Sequence, residues 1–184
     1  MKKFMMLLSL VTGLAAVGPV TNTITANEND ELQVVDYVDL ERYLGTWYEV
    51  AAIPQWFQRD CLKSTAEYSL KEPGKIRVIN RCTTEDGEKK VKGKAWVTDE
   101  TTNAKLKVQF FWPFSGNYWI IELDSDYRFA VVGEPEREAL WILSREPVLE
   151  PEILEDLLDQ IEYIHGYDRN KIVIKQSFAP LSYN

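Results

Sequence analysis

The sequence has 184 residues, with 21 Lys and Arg against 29 Asp and Glu, for a formal net charge of -8. Its longest basic run is a Lys-Lys pair, which argues against a nucleic-acid binder, because such proteins neutralise phosphates with clustered cations. Hydrophobic residues make up 45% and charged residues 27%, a globular composition, and the 9 Tyr, 7 Phe and 6 Trp mean that something large and flat is packed or bound.

Lys2 and Lys3 precede an apolar run over residues 4–17, too short to span a bilayer, and small residues follow before the chain turns polar at Asn27. Residues 1–26 therefore read as a secretory signal peptide with cleavage after Ala26, and residues 27–38 as a polar lead-in to one domain over residues 39–184. No Cys stands near the end of the apolar run to accept an acyl anchor, and no later segment offers the ~18 uninterrupted apolar residues of a membrane span. The expectation is a soluble periplasmic or secreted protein with no stable membrane anchor.

Asp39 can cap a single helical turn through Tyr43. From Gly45 onward, turn signals recur at short, even spacing: Pro73-Gly74, Asp86-Gly87, Thr101-Thr102-Asn103, Ser115-Gly116, Asp124-Ser125-Asp126 and Glu134-Pro135. The segments between them predict eight strands, over residues 45–54, 64–71, 75–83, 88–99, 104–112, 117–124, 128–134 and 138–145. Leu106, Val108, Phe110 and Trp112 share one face against Lys105, Lys107 and Gln109, and Ala66, Tyr68 and Leu70 share one against Thr65, Glu67 and Ser69. Side chains alternate across a strand, so each of these strands has one buried and one wet side. The fold class expected is all-β, an eight-stranded antiparallel up-and-down barrel, because closure removes unpaired edges. A barrel of eight strands can hold a small ligand.

Pro151 opens a helix whose apolar positions are Ile153, Leu154, Leu157, Leu158, Ile161 and Ile164 before Gly166 ends it. Its other face carries Glu152, Glu155, Asp156, Asp159 and Glu162, so it packs one stripe on the outside of the barrel and would be repelled by anionic lipid. Residues 171–176 read as a short ninth strand.

Cys61 and Cys82 are the only cysteines and His165 the only histidine. Two thiols and one distant imidazole do not make a zinc set, so no metal site and no cofactor is expected. Export permits a Cys61–Cys82 disulfide, with free thiols as the alternative. Counting strand directions puts Gly45, Trp47, Asp126, Tyr127 and Arg145 at one end of the barrel. Both cysteines fall at the other end, where a bond between them would pin the long first loop to the rim.

Gly45-Thr46-Trp47, Asp126-Tyr127 and Arg145 at the end of Trp-Ile-Leu-Ser-Arg stand in the order and spacing by which the chain resembles the lipocalins. From about Asp39 to Gln176 it is similar to the bacterial outer-membrane and apolipoprotein D-like branch, including Leu40, Tyr43-Leu44-Gly45-Thr46-Trp47-Tyr48-Glu49-Val50 and Phe110-Phe111-Trp112-Pro113-Phe114. The resemblance implies that Trp47 plugs a closed floor with Arg145 stacked over it and bonded to carbonyls. Asp126 is expected to fix its turn by bonding its own backbone.

The open end gathers Trp56, Phe57, Trp112 and Phe114 from two loops, read either as a lid or as an apolar entrance, and the same exposed aromatics allow a homodimer through the open-end loops. The candidate ligand-binding residues are Trp56, Phe57, Tyr68, Val78, Asn80, Phe110, Trp112, Trp119 and Trp141, with Asn80, Tyr68 or Arg81 available to a polar head. Trp119 and Trp141 lie on strands that are apolar on both faces, so burial against the helix competes with facing the lumen. The resemblance implies a carrier or store of fatty acids or lysophospholipids serving the cell envelope. A planar tetrapyrrole or carotenoid is the alternative ligand. An enzyme using Cys61 as a thiol is the remaining class, disfavoured because no base lies near it in sequence and His165 reads as a surface residue.

Overall fold

The computed structural model describes residues 31–176. The expected leader, residues 1–26, and the chain from 177 onward lie outside the described residues.

The first element, α1 (Leu40–Tyr43), is a single turn capped by the Asp39 carboxylate, which accepts from the backbone N–H groups of Glu41 and Arg42. Eight strands follow, β1 (Gly45–Ala52), β2 (Lys63–Glu72), β3 (Lys75–Thr84), β4 (Gly87–Val97), β5 (Lys105–Phe111), β6 (Phe114–Leu123), β7 (Phe129–Gly133) and β8 (Leu140–Ser144). Each pairs antiparallel with its successor, β8 pairs with β1, and β1 pairs with β2, so the sheet closes into the expected barrel. Helix α2 (Pro151–Tyr163) then crosses the outside, and β9 (Val173–Ile174) lies along β1 at Ala51 and Ala52. There β2 no longer pairs with β1, since their ladder covers only Gly45–Tyr48.

Two apolar clusters use the two faces of the sheet. Inside the barrel Trp47, Tyr68, Ile76, Val78, Ala95, Leu106, Ile120, Val132 and Leu143 pack together, with Phe110, Tyr118 and Trp141 partly buried against them. Outside, Leu154, Leu157, Leu158 and Ile161 of α2 pack on Val50, Ile121, Val131, Leu140 and Ile142. Each such buried Leu or Ile contributes about 1.5–3 kcal/mol relative to exposure. Covering both faces of β6 to β8 is why those strands read as apolar throughout, whereas β2 to β5, wet on the outside, alternate.

Several local expectations are corrected. The β5–β6 turn is Trp112-Pro113 rather than Ser115-Gly116, with Phe111 paired to Phe114, so β6 begins at Phe114 and takes Ser115 and Gly116 into the strand. Trp112 therefore leaves the inner face of β5 and is 86% exposed. The apolar stripe of α2 stops at Ile161, and Ile164, already the C-cap, is exposed. The last strand is shorter than residues 171–176, since Arg169–Lys171 form a 3₁₀ turn capped by Asp168. His165 is buried, not a surface residue. Gly166 turns the chain at φ 71° and the imidazole Nε2 meets Glu122 Oε1 on β6 at 2.7 Å.

Candidate functional site

The closed end is built around Trp47, which has no exposed surface and whose indole N–H donates to the Tyr43 carbonyl at 2.8 Å. The Arg145 guanidinium lies 3.8 Å from the centre of the indole system and donates to the carbonyls of Tyr127, Thr46 and Arg42. Here a planar cation covers a ring face while its edge satisfies backbone acceptors. Gly45 is required by this stack. Its φ is 96°, and a Cβ there would sit 3.3 Å from Arg145 Nη1. Tyr127, at φ 61°, accepts from the Asp39 N–H and lies under Arg42.

The carboxylate that fixes the neighbouring turn is Asp124, not Asp126. Its Oδ2 accepts from the backbone N–H groups of Asp126 and Arg128 and from Arg128 Nε, an Asx turn centred two residues earlier than expected. The Arg128 guanidinium bonded to Asp124 holds that carboxyl below the usual carboxylate range.

Above Trp47, three tyrosine hydroxyls form a chain across the lumen, Tyr43 to Tyr118 and Tyr118 to Tyr68, each step 2.9 Å. Burial raises the pKa of all three phenols, Tyr68 to about 12. They are neutral donors and acceptors at any ordinary pH. The space enclosed beside them is about 10 Å³, lined by Leu40, Ile76, Ala95, Leu106 and Val108 as well as the tyrosines. That is room for about one water.

Toward the mouth the lumen turns polar. Trp141 donates its indole N–H to Gln58 Oε1 at 3.2 Å, and Gln58 Nε2 donates to Glu49 Oε2 at 3.1 Å. The other Glu49 oxygen lies 2.5 Å from Lys175 Nζ, an ion pair off the hydrogen-bonding direction, with side chains 6% and 9% exposed. Asn80 Oδ1 and Ser64 Oγ are buried with no partner. Asn80 shares the inward face of β3 with Ile76 and Val78, and on β2 Ser64 lies two positions from Ala66, the residue opposite Asn80. Phe110 packs across Gly93, where a Cβ would come within 2.6 Å of its ring.

The candidate ligand residues are thus divided. Tyr68, Val78, Asn80, Phe110 and Trp141 are brought together on the lumen side. Trp119 is not, because Tyr118 takes the inward position of β6 and turns Trp119 outward onto the α2 cluster, with Lys105 over its ring at 4.3 Å. Arg81 also faces outward, paired with Glu67 at 2.8 Å. Trp56 and Phe57, stacked edge to face, are 77% and 57% exposed at the rim and do not cover the core as a lid.

Cys61 and Cys82 form a disulfide with Cα atoms 5.3 Å apart, fastening the β1–β2 loop to β3. Sequence reading missed Glu49, Gln58, Lys175, Tyr43 and Tyr118. Period-two counting from Trp47 places Glu49 inside, and that was the one available signal. Lys175 arrives from the far end of the chain and has none.

A closed barrel with a sealed floor, exposed aromatics at the opposite rim and a lumen carrying a few convergent polar groups defines a binding protein for small hydrophobic molecules of the lipocalin type. Residues 38–177 match the lipocalin-like domain family, and the chain belongs to the lipocalins. It is 41% identical over 178 residues to the outer membrane lipoprotein Blc of Citrobacter freundii, covering 95% of this chain and all of that one. It is 37% identical to apolipoprotein D of Bos taurus over 68% of this chain and 70% of that protein. These likenesses place it in the bacterial Blc and apolipoprotein D-like branch. Insecticyanin from the tobacco hornworm has the same fold, with a TM-score of 0.63 at 23% identity over 82% of this chain and 86% of that chain.

Proposed function

We propose that this lipocalin binds and carries or stores a fatty acid or lysophospholipid outside the cytoplasm, with the acyl chain entering at the aromatic rim. The observation that carries the reading is that Asn80 Oδ1 and Ser64 Oγ are buried in the inner wall without a partner, on the face shared with Ile76 and Val78. A buried polar atom without a partner is costly, and a ligand head supplies one. Tyr68, Val78, Phe110 and Trp141 form the wall, and Trp56, Phe57 and Trp112 the rim. Because the floor is filled, the ligand sits in the mouthward half of the barrel above the tyrosine chain. The chemistry is binding rather than catalysis. Both cysteines are consumed in the disulfide and His165 is buried on the outer wall.

A location outside the cytoplasm accords with the expected leader. Among the described residues no helix is long and apolar enough to cross a membrane.

The test is tryptophan quenching on titration with oleate, lysophosphatidylethanolamine and haem, followed by mass spectrometry of ligand extracted from the purified protein. Saturable quenching by the two lipids, weakened in Trp141→Ala, is expected. Saturation by haem alone would overturn the assignment.

A further inference from the structure

The charge of the molecule is sharply polarised. Residues 63–109 carry eleven Lys and Arg against seven Asp and Glu, while residues 110–176 carry six against fourteen. On β3 and β4 the register sets Arg77 directly opposite Lys94 and Arg81 directly opposite Lys90, with Lys92 opposite Ile79 between them. The alternate positions, Ile76, Val78 and Ala95, are buried inside, so these five cations share the outer face. Arg77, Lys90, Lys92 and Lys94 are exposed. Among the described residues none of those four has a carboxylate at ion-pair distance, and Arg81 alone is paired, with Glu67.

Like charges directly opposite on a sheet destabilise it. Lysines also guard open strand edges, and β4 lacks a β5 partner over Gly87–Gly93. Edge protection does not account for Arg77 and Lys94, however, because Lys94 is paired on both sides, to Arg77 and to Gln109.

We propose that this outer face of β3 and β4 is a docking surface for an anionic lipid bilayer. Two further features select lipid over an acidic protein. Around the rim the β3–β4 hairpin stands between the β1–β2 loop, with exposed Trp56 and Phe57, and the β5–β6 turn, with exposed Phe111, Trp112 and Phe114. Aromatics flanking a basic surface suit the bilayer interface, where indole and phenyl rings sit at the headgroups and cations meet the anionic lipid. Exposed Glu152, Glu155, Asp156 and Asp159 of α2 lie on the other wall of the barrel, so an anionic surface orients the molecule with the helix outward. The hairpin tip carries Glu85, Asp86 and Glu88, and contact is therefore made side-on by the wall rather than by the tip.

The proposal is independent of which ligand fills the lumen. Its test is cosedimentation of the purified protein with phosphatidylcholine vesicles, with and without phosphatidylglycerol, at low and at high salt. Binding is expected only with phosphatidylglycerol, reduced by salt and weakened roughly tenfold or more in R77E/K94E. Lys171→Glu, on another face, should bind as wild type. Arg77→Glu alone creates an opposite-charge pair with Lys94 and should raise the melting midpoint by roughly 1–3 °C while weakening vesicle binding, which separates loss of docking from loss of fold. Oleate quenching should be unchanged in these variants. Equal binding to both vesicle types at low salt, or retained phosphatidylglycerol binding in R77E/K94E, would overturn the proposal. Salt-sensitive capture by immobilised polyglutamate without vesicle binding would also overturn it, assigning the face to an acidic polypeptide.

Discussion

Replacing Lys175 by Met strips the ammonium from an ion pair whose side chains are 9% and 6% exposed and leaves the Glu49 carboxylate with the Gln58 amide. A buried ion left without its partner costs about 3–5 kcal/mol. The Gln58 N–H offsets part of that, which sets the expectation at the lower end, about 3 kcal/mol. For a domain of this size each kcal/mol moves the melting midpoint by about 2–4 °C, so K175M should melt roughly 6–12 °C below wild type. In the double variant E49Q/K175M neither ion is buried, and the Gln58 contact can persist through the new amide. Stability should return to within about 1 kcal/mol of wild type. Urea unfolding followed by tryptophan fluorescence on the wild type, both single variants and the double variant measures the coupling directly. A loss below about 1 kcal/mol in K175M, or a double variant as unstable as the sum of the singles, would refute the reasoning, because the pair would then be behaving as a solvent-screened surface contact.

At the floor, Arg145→Ala removes the stack on Trp47 and three donors to backbone carbonyls, and should cost about 2–4 kcal/mol in chemical denaturation, with Arg145→Lys recovering only part. Reducing the Cys61–Cys82 bond, which spans a sequence separation of 21, should cost about 3 kcal/mol by loop entropy. Hydrogen exchange should then rise in the β1–β2 loop and leave the Trp47 floor protected. The buried phenols of Tyr43, Tyr68 and Tyr118 have raised pKa values, so the stability they confer is fully present below the ordinary tyrosine pKa of about 10. It is lost as pH climbs toward the folded value, about 12 for Tyr68. Tyrosinate absorbance for these groups should therefore appear together with loss of near-UV circular dichroism in an alkaline titration, and Y118F should shift that transition. Asp124 acts with the opposite sign. Its depressed pKa stabilises the fold above the ordinary carboxylate range and is lost as pH falls through the folded value, so Asp124→Asn should flatten the acid limb of the stability profile.

The barrel was legible because its determinants are local. Alternation along β2 and β5, glycine and proline at the turns, and the 3.6-residue spacing of Leu154, Leu157, Leu158 and Ile161 each act over a few neighbours, and a chain satisfying all of them has few ways to close. The floor was readable through the resemblance carried by Gly45-Thr46-Trp47, Asp126-Tyr127 and Arg145, and the structure supplies its physical reason, a glycine at φ 96° beside an arginine stacked on an indole. What needed the tertiary structure was which side of an all-apolar strand is the lumen. Trp119 and Trp141 look alike in sequence, and only the helix seated on the outer wall turns one out and leaves the other bonded to Gln58. The buried pairing of Glu49 with Lys175, and the register that sets Arg77 opposite Lys94 and Arg81 opposite Lys90, join residues from separate strands. Charge and polarity have no period that reports their partners across space, so their meaning is set by register and closure, which belong to the folded chain.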